Sequence, residues 1–317
     1  MKIDPVDTAI EQLSAVQPET AEGRPLYVAA LANKSNRLVA KAAKLADHYR
    51  ATSLCQPMAD SLTRLLHKAE ASDKGCVAML ALSRALVNLD HDDAALFLLG
   101  MKHVQKEASW GPPVDTAVDL RGTCAMGLAN SLYPWKMKPL IDLLVDAEWG
   151  ARAGAIRALA AIGTESAWLL LHYKARLGDE NPEVVSQCLE ALLAGEGASA
   201  LSLVTGIAES AGAETREAAV LALGASRRDD AIAWLIQRCD RSPRERDRQC
   251  LYLALSSSRT EAAIEYLLEL LRTASSATFA LVNDALAIHG RDPQLSQRIA
   301  AAIGIRNSQS SPLHSPK

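Results

Sequence analysis

Residues 150–163 read GARAGAIRALAAIG, and the hexamer AIRALA inside this stretch (155–160) decides the fold. Near-copies recur along the chain: CVAMLA from Cys76, CAMGLA from Cys124, CLEALL from Cys188, AVLALG from Ala219, CLYLAL from Cys250 and VNDALA from Val282. From Cys124 onward the steps are 31, 33, 31, 31 and 32 residues. A period of this size marks stacked helical units, none of which can bury its apolar face alone. Upstream of the hexamers lie apolar-rich partners: PLIDLLV (139–145), AWLLLHYKARL (167–177), ALSLVTGIA (200–208), AIAWLIQRC (231–239) and AAIEYLLELL (262–271). Each repeat therefore reads as two helices, A then B.

Composition agrees. Apolar residues make up 49% of the chain, yet only two are Phe, and the bulk is Ala and Leu, the best apolar helix formers. Strand-like alternation of β-branched and aromatic residues is missing, so the fold class is all-α. The punctuation fits: Asn181-Pro182-Glu183 reads as N-cap, first helical residue and first-turn acid. Ser242-Pro243-Arg244-Glu245 has capping-box spacing, and Gly163, Gly195 and Gly290 follow B helices where a left-handed residue is wanted.

The first residue of each hexamer is small: Cys, Ala or Val. Such a residue lets neighbouring helices approach, and a free Cys behaves as a small buried hydrophobe. This position is expected to be the seam between successive layers, which explains Cys76, Cys124, Cys188 and Cys250 without thiol chemistry. No C-x-x-C pair or zinc-finger spacing involves the six Cys.

The pattern resembles HEAT-type repeats, and its short Ala-rich form is similar to the bacterial HEAT-like repeats of the phycobilisome-lyase type. The resemblance covers roughly residues 24–303. It implies a right-handed α-solenoid, an α-α superhelix of about eight two-helix repeats: 24–50, 53–90, 92–132, 134–163, 165–195, 197–226, 228–258 and 260–290, with a capping helix at 292–303. Residues 1–23 are expected to form an N-terminal segment and linker, and the polar 304–317 a disordered tail.

One place breaks the rhythm. Between Cys76 and Cys124 the step is 48 residues, and the surplus falls at 106–117, around the sequence EASWGPP. Two readings are open. Trp110 folds back as a plug over its own repeat, or the loop rises beside the concave B-helix face and helps form a site, as long loops on rigid scaffolds tend to. Trp110, His103, Asp115, Asp119 and Arg121 are its candidate residues. Arg121 lies three residues before the packing Cys, so helical phase places it toward the buried side, where a charge needs a partner. A structural ion pair with Asp119, Asp115 or a neighbouring helix end is expected.

With the hexamer's first residue inward, positions two after it (Met126, Arg157, Glu190, Leu221, Tyr252) and two before it are expected on the exposed face. Met126, Leu221 and Tyr252 then suggest a shallow groove for an amphipathic helix or extended peptide. Five residues before the hexamers lie Asp119, Glu183, Glu214 and Glu245, read as first-turn acids that favour the helix dipole.

The formal net charge of −3 leaves no basic stripe, so neither nucleic acid nor an anionic membrane is expected as a partner. The Arg-rich 227–249 is interleaved with five acids and reads as a solvated edge. There is no signal-peptide core or 18-residue apolar run, and the expected location is the cytoplasm. The resemblance also brings enzymes into view. Di-iron hydroxylases of this architecture carry repeated His-Glu pairs, but none of the seven His here precedes Glu. Glycosylases of this architecture use a basic groove. With no phosphate loop or nucleophile elbow either, the expectation is a non-enzymatic scaffold without cofactor or metal, binding another protein. A lyase-like, cofactor-handling or glycosylase-like protein is the alternative.

Overall fold

A computed structural model describes residues 4–67 and 72–310. The chain divides into two compact units, Met1–Leu171 and His172–Lys317. Both are stacks of antiparallel helix pairs, and the only strands among the described residues are two of two residues each.

The first unit contains α1 (Pro5–Ala15), α2 (Gly23–Leu31), α3 (Asn36–His48), α4 (Cys55–Leu66), α5 (Val77–Asn88), α6 (Ala94–Met101), α7 (Val118–Asn130), α8 (Met137–Leu144) and α9 (Trp149–Ile162). Its B helices stack in order, α3 on α5, α5 on α7 and α7 on α9, each backed by the A helix before it. The division between units falls within α10 (Glu165–Leu177). The second unit continues with α11 (Pro182–Glu196), α12 (Ala198–Ser210), α13 (Ala213–Ala225), α14 (Asp229–Arg241), α15 (Glu245–Ser258), α16 (Glu261–Thr273), α17 (Ser276–Leu286) and α18 (Pro293–Ser310). Here α11, α13, α15 and α17 form the B stack, and α18 covers α16. Thus α18 carries helix to Ser310, beyond the 303 boundary read from sequence; residues 311–317 lie outside the described residues. At the other end, α1 packs on α2 and α3 and joins the stack.

The first hexamer residue is buried at Cys76, Cys124, Ala155, Cys188, Ala219 and Val282, and half-buried at Cys250. Burial pushes the thiols of Cys76, Cys124 and Cys188 up to about 12, so they are packing groups and not nucleophiles. The seam, however, is not one position. The Cys124 thiol occupies the space left by the missing Cβ of Gly100, on its own A helix. The closest approach of α7 to α9 occurs at Gly122 and Gly154, where a Cβ on either would meet the other's Cα. In the second unit the Cys250 thiol lies 3.9 Å from the Glu217 carbonyl of the preceding B helix, and Gly224 sits under the backbone of Ala254.

A B helix is therefore enclosed on more than one side, by its A partner and by the adjacent B helices. This corrects the phase argument. Gly122 and Ala153, two before the hexamers, and Ala78 and Tyr252, two after, are buried where exposure was expected.

Local signals fared unevenly. The Asn181 side chain caps α11 through the Glu183 N–H at 2.9 Å. Gly163 takes the left-handed conformation, φ 63°. Gly195 lies inside α11 instead, with Gly197 the positive-φ residue, and Gly290 has φ −57°. The Ser242–Glu245 capping box does not form. Arg244 precedes α15 without a side-chain cap, and Ser242 is buried with its carbonyl turned toward Arg248.

Two glycine variants separate backbone approach from helix propensity. Gly154→Val should lower stability by about 1–3 kcal/mol or more through overpacking. Gly206→Ala, inside α12 with open space where the new methyl would go, should raise it by about 0.5–1 kcal/mol. Denaturant midpoints check both; a wild-type midpoint for Gly154→Val contradicts the glycine crossing.

Candidate functional site

The irregular insert of the first unit is a β-hairpin. Strand β1 (Lys106–Glu107) pairs antiparallel with β2 (Val114–Asp115), Lys106 opposite Asp115 and Glu107 opposite Val114. Its base is held by buried and half-buried polar side chains that bond one another and the backbone.

Arg121 anchors the base, with its side chain only 2% exposed. One terminal nitrogen donates to the Asp115 carboxylate at 2.8 Å and to the His103 carbonyl at 3.0 Å. The other reaches Asp146 at 3.0 Å. Asp115 in turn accepts from the backbone N–H groups of Gln105 (3.1 Å) and Ala117 (3.0 Å), just before α7. Burial alone would raise the Asp115 pKa, but the Arg121, Ala117 and Gln105 hydrogen bonds reverse this and hold it below the ordinary carboxylate range. Asp146 also accepts from the Glu148 N–H at 2.8 Å, next to α9. One guanidinium thus ties the hairpin to the approach to α9.

A second anchor runs the other way, to the start of α5. Glu107 accepts from the Gly75 N–H at 2.6 Å, the Gln105 amide at 2.6 Å and the Thr116 hydroxyl at 3.0 Å. The Gly75 bond, then the Gln105 bond, hold its carboxyl below the usual range. Gly75 has φ 74°, a left-handed backbone that glycine adopts most readily, and its N–H is the one Glu107 takes. Gln105 also donates to the Asp73 carbonyl at 2.9 Å, while the Asp73 carboxylate receives the Ala78 and Met79 N–H groups of α5.

The tip points the other way. The Ser109 hydroxyl donates to the Pro112 carbonyl at 2.7 Å and accepts from the Gly111 N–H at 3.2 Å. Trp110 has a relative exposure of 111%, and Pro112 and Pro113 are exposed beside it. The plug reading is therefore corrected. The base of the insert is tied to the helix ends by polar bonds, and Trp110 does not fold back. Val104 and Val114, both 54% exposed, extend the apolar surface. Next to Arg121 and Asp146 lies a groove of ≈ 290 Å³ whose apolar wall includes Met101, Val104 and Leu143.

Among the sequence candidates, His103, Asp115 and Arg121 are brought together, and of the ion-pair partners offered for Arg121 it is Asp115, with Asp146, and not Asp119. Asp119 is exposed in the first turn of α7, 3.9 Å from Arg84 of α5. Glu183, Glu214 and Glu245 likewise occupy first turns. Met126 is half-buried and Arg157 exposed in the first unit; Glu190 is exposed and Leu221 half-buried in the second. Tyr252 is 3% exposed and drops out as a docking residue, because α15 packs between its neighbours on that side.

Sequence reasoning missed Gln105, Glu107, Asp73 and Asp146, whose roles depend on a turn and a hairpin with no periodic signal. It also missed a periodic one. Arg152 and Arg216 stand, like Arg121, three residues before their hexamers. Arg152 donates to the Asp146 carbonyl at 2.9 Å, Arg216 to Ala211 at 3.1 Å, and Arg248, two before its hexamer, lies 3.4 Å from the Ser242 carbonyl. These arginines clamp the turn between A and B helices.

Among the described residues no group of three or more His, Cys, Asp or Glu is placed to hold a metal ion, and no helix is long and apolar enough to cross a membrane. Residues 200–287 match the family model for HEAT repeats. No curated protein matches the sequence. Among solved structures, the complex of CpcE and CpcF of phycocyanin lyase from Nostoc sp. PCC7120 is 15% identical, covering 90% of this chain and 93% of that one, with a TM-score of 0.34. An engineered protein is 16% identical, covering 97% and 94%, with a TM-score of 0.36. Human deoxyhypusine hydroxylase in complex with glycerol is 14% identical, covering 90% and 96%, with a TM-score of 0.22. Likeness at this level says nothing about activity.

Arg121→Met leaves Asp115 buried without its cation and should cost about 3–5 kcal/mol at neutral pH. The pH dependence has a definite sign. In the wild type the folded Asp115 pKa is depressed, so its stabilisation is present above the unfolded value of about 3.9 and is lost as pH falls toward the folded value. In the variant the Ala117 and Gln105 hydrogen bonds remain but the guanidinium no longer opposes burial, so the Asp115 pKa moves up from its wild-type position. The gap between the two proteins should then narrow on acidification, as read from denaturation at pH 7 and pH 4.5; a constant gap contradicts the assignment.

Proposed function

We propose that this HEAT-like repeat protein is a non-enzymatic scaffold that binds another protein, with the tip of the 106–117 hairpin as its first point of contact. One observation carries the reading: a fully exposed indole stands on a base fixed by buried charge–charge and charge–amide bonds. An exposed Trp gains nothing for the fold. On a partner it supplies a large apolar contact, the residue type most enriched among interface hot spots. A tip held at its base also loses little conformational freedom on binding. Val104 and Val114 add apolar surface, and Asp119, Met126 and Arg157 extend the contact along the exposed B-helix side of the same unit.

Trp110→Ala should leave the melting temperature unchanged, since no described contact is lost, while the partner recovered with tagged wild-type chain from native lysate disappears. The same partner at the same yield with Trp110→Ala refutes the role of the tip.

A further inference from the structure

The second unit carries a cleft that the hairpin reading does not use. In α14 the sequence places Trp234 and Arg238 four residues apart, on one face of the helix. Both line a cleft of ≈ 30 Å³ with Arg216, Glu217 and Asp247, walled by Val220 and Leu251. The space corresponds to about two water molecules.

Two arginines and two acids line it, but Arg246, from outside the lining, takes up one of the acids. Glu217 is paired with Arg246 at 2.8 Å, and Asp247 with Arg216 at 3.5 Å. Arg238 is left over: half-buried, with no hydrogen bond or ion pair among the described residues. The Arg216 Nε is shielded from solvent and has no acceptor. The Trp234 indole N–H likewise bonds nothing described. A planar guanidinium fork matches a carboxylate in two parallel bonds, and cations with spare donors lining a partly apolar cleft form a receptor for such a group.

We propose that this cleft binds the carboxylate of an acidic side chain on a peptide segment, with Arg238 as its main partner. The narrow space admits a flat carboxylate head more readily than a tetrahedral oxyanion. The Cys250 thiol at the cleft takes no nucleophilic part, since burial, then the nearby Glu217 and Asp247, push it up to about 12. The site lies wholly in the second unit and stands or falls independently of Trp110.

The test titrates the full chain with N-acetyl-glutamyl-leucinamide, its glutaminyl counterpart and inorganic phosphate. The readout is the Trp234 indole cross-peak in a ¹H–¹⁵N spectrum, assigned by its loss in Trp234→Phe. The glutamyl compound should shift that peak saturably. Arg238→Gln should weaken binding at least about tenfold, and Arg238→Lys should restore part of it. No saturable shift, equal binding of the glutaminyl compound, phosphate binding as tightly at the same peak, or full affinity in Arg238→Gln would each overturn the proposal. Arg238 has no partner to lose, so Arg238→Gln should melt with the wild type. The glutamyl–glutaminyl contrast on unaltered protein decides the matter even if it does not.

Discussion

The B helices are enclosed by their neighbours, and the rest of the molecule follows from that constraint. A helix with an A partner behind it and B helices beside it has room for large side chains only in limited directions. Ala, Cys and Gly fill the others. At Gly122 and Gly154 even a Cβ is too much, so backbone packs on backbone. Stability then comes from many small apolar contacts and not from a few aromatic anchors, in keeping with the scarcity of Phe.

Close stacking brings a second problem at the ends of the pairs. The turns before α7, α9, α13 and α15 leave carbonyls near a packed surface, where water cannot serve them fully. The chain answers with long cations. Arg121, Arg152, Arg216 and Arg248 reach from the first turns of B helices to loop carbonyls. Arginine suits this task because its fork can serve several acceptors at once and stays charged when buried. At Arg121 the same device also holds the hairpin, so the insert uses an anchor of the kind the regular repeats already possess.

The insert and the cleft show how a repetitive frame acquires individual surfaces. In the first unit, carboxylates at the hairpin base are fully employed, and the surplus chemistry is apolar and exposed at Trp110. In the second, the apolar groups are employed in walls, and the surplus is a cation, Arg238. Neither surplus has a described bond within the unit that carries it, and the two proposed contacts rest on that.

The architecture was legible in the sequence because stacking repeats itself. A buried position returns every 31 to 33 residues, and helix periodicity follows from local chain geometry. The burial of Arg121, and its need for a partner, could be read from the same phase. The side-by-side enclosure of each helix could not: phase assigns one inward direction, and only the packed structure shows that Tyr252, Gly122 and Ala153 face a second neighbour. The hairpin was visible only as an interruption. Its register and tip are set by side-chain contacts inside the insert, and the Gly75 N–H offered to Glu107 and the Asp73 carbonyl offered to Gln105 join residues 32 apart in sequence. Such contacts leave no period behind them, so only the tertiary structure decides them.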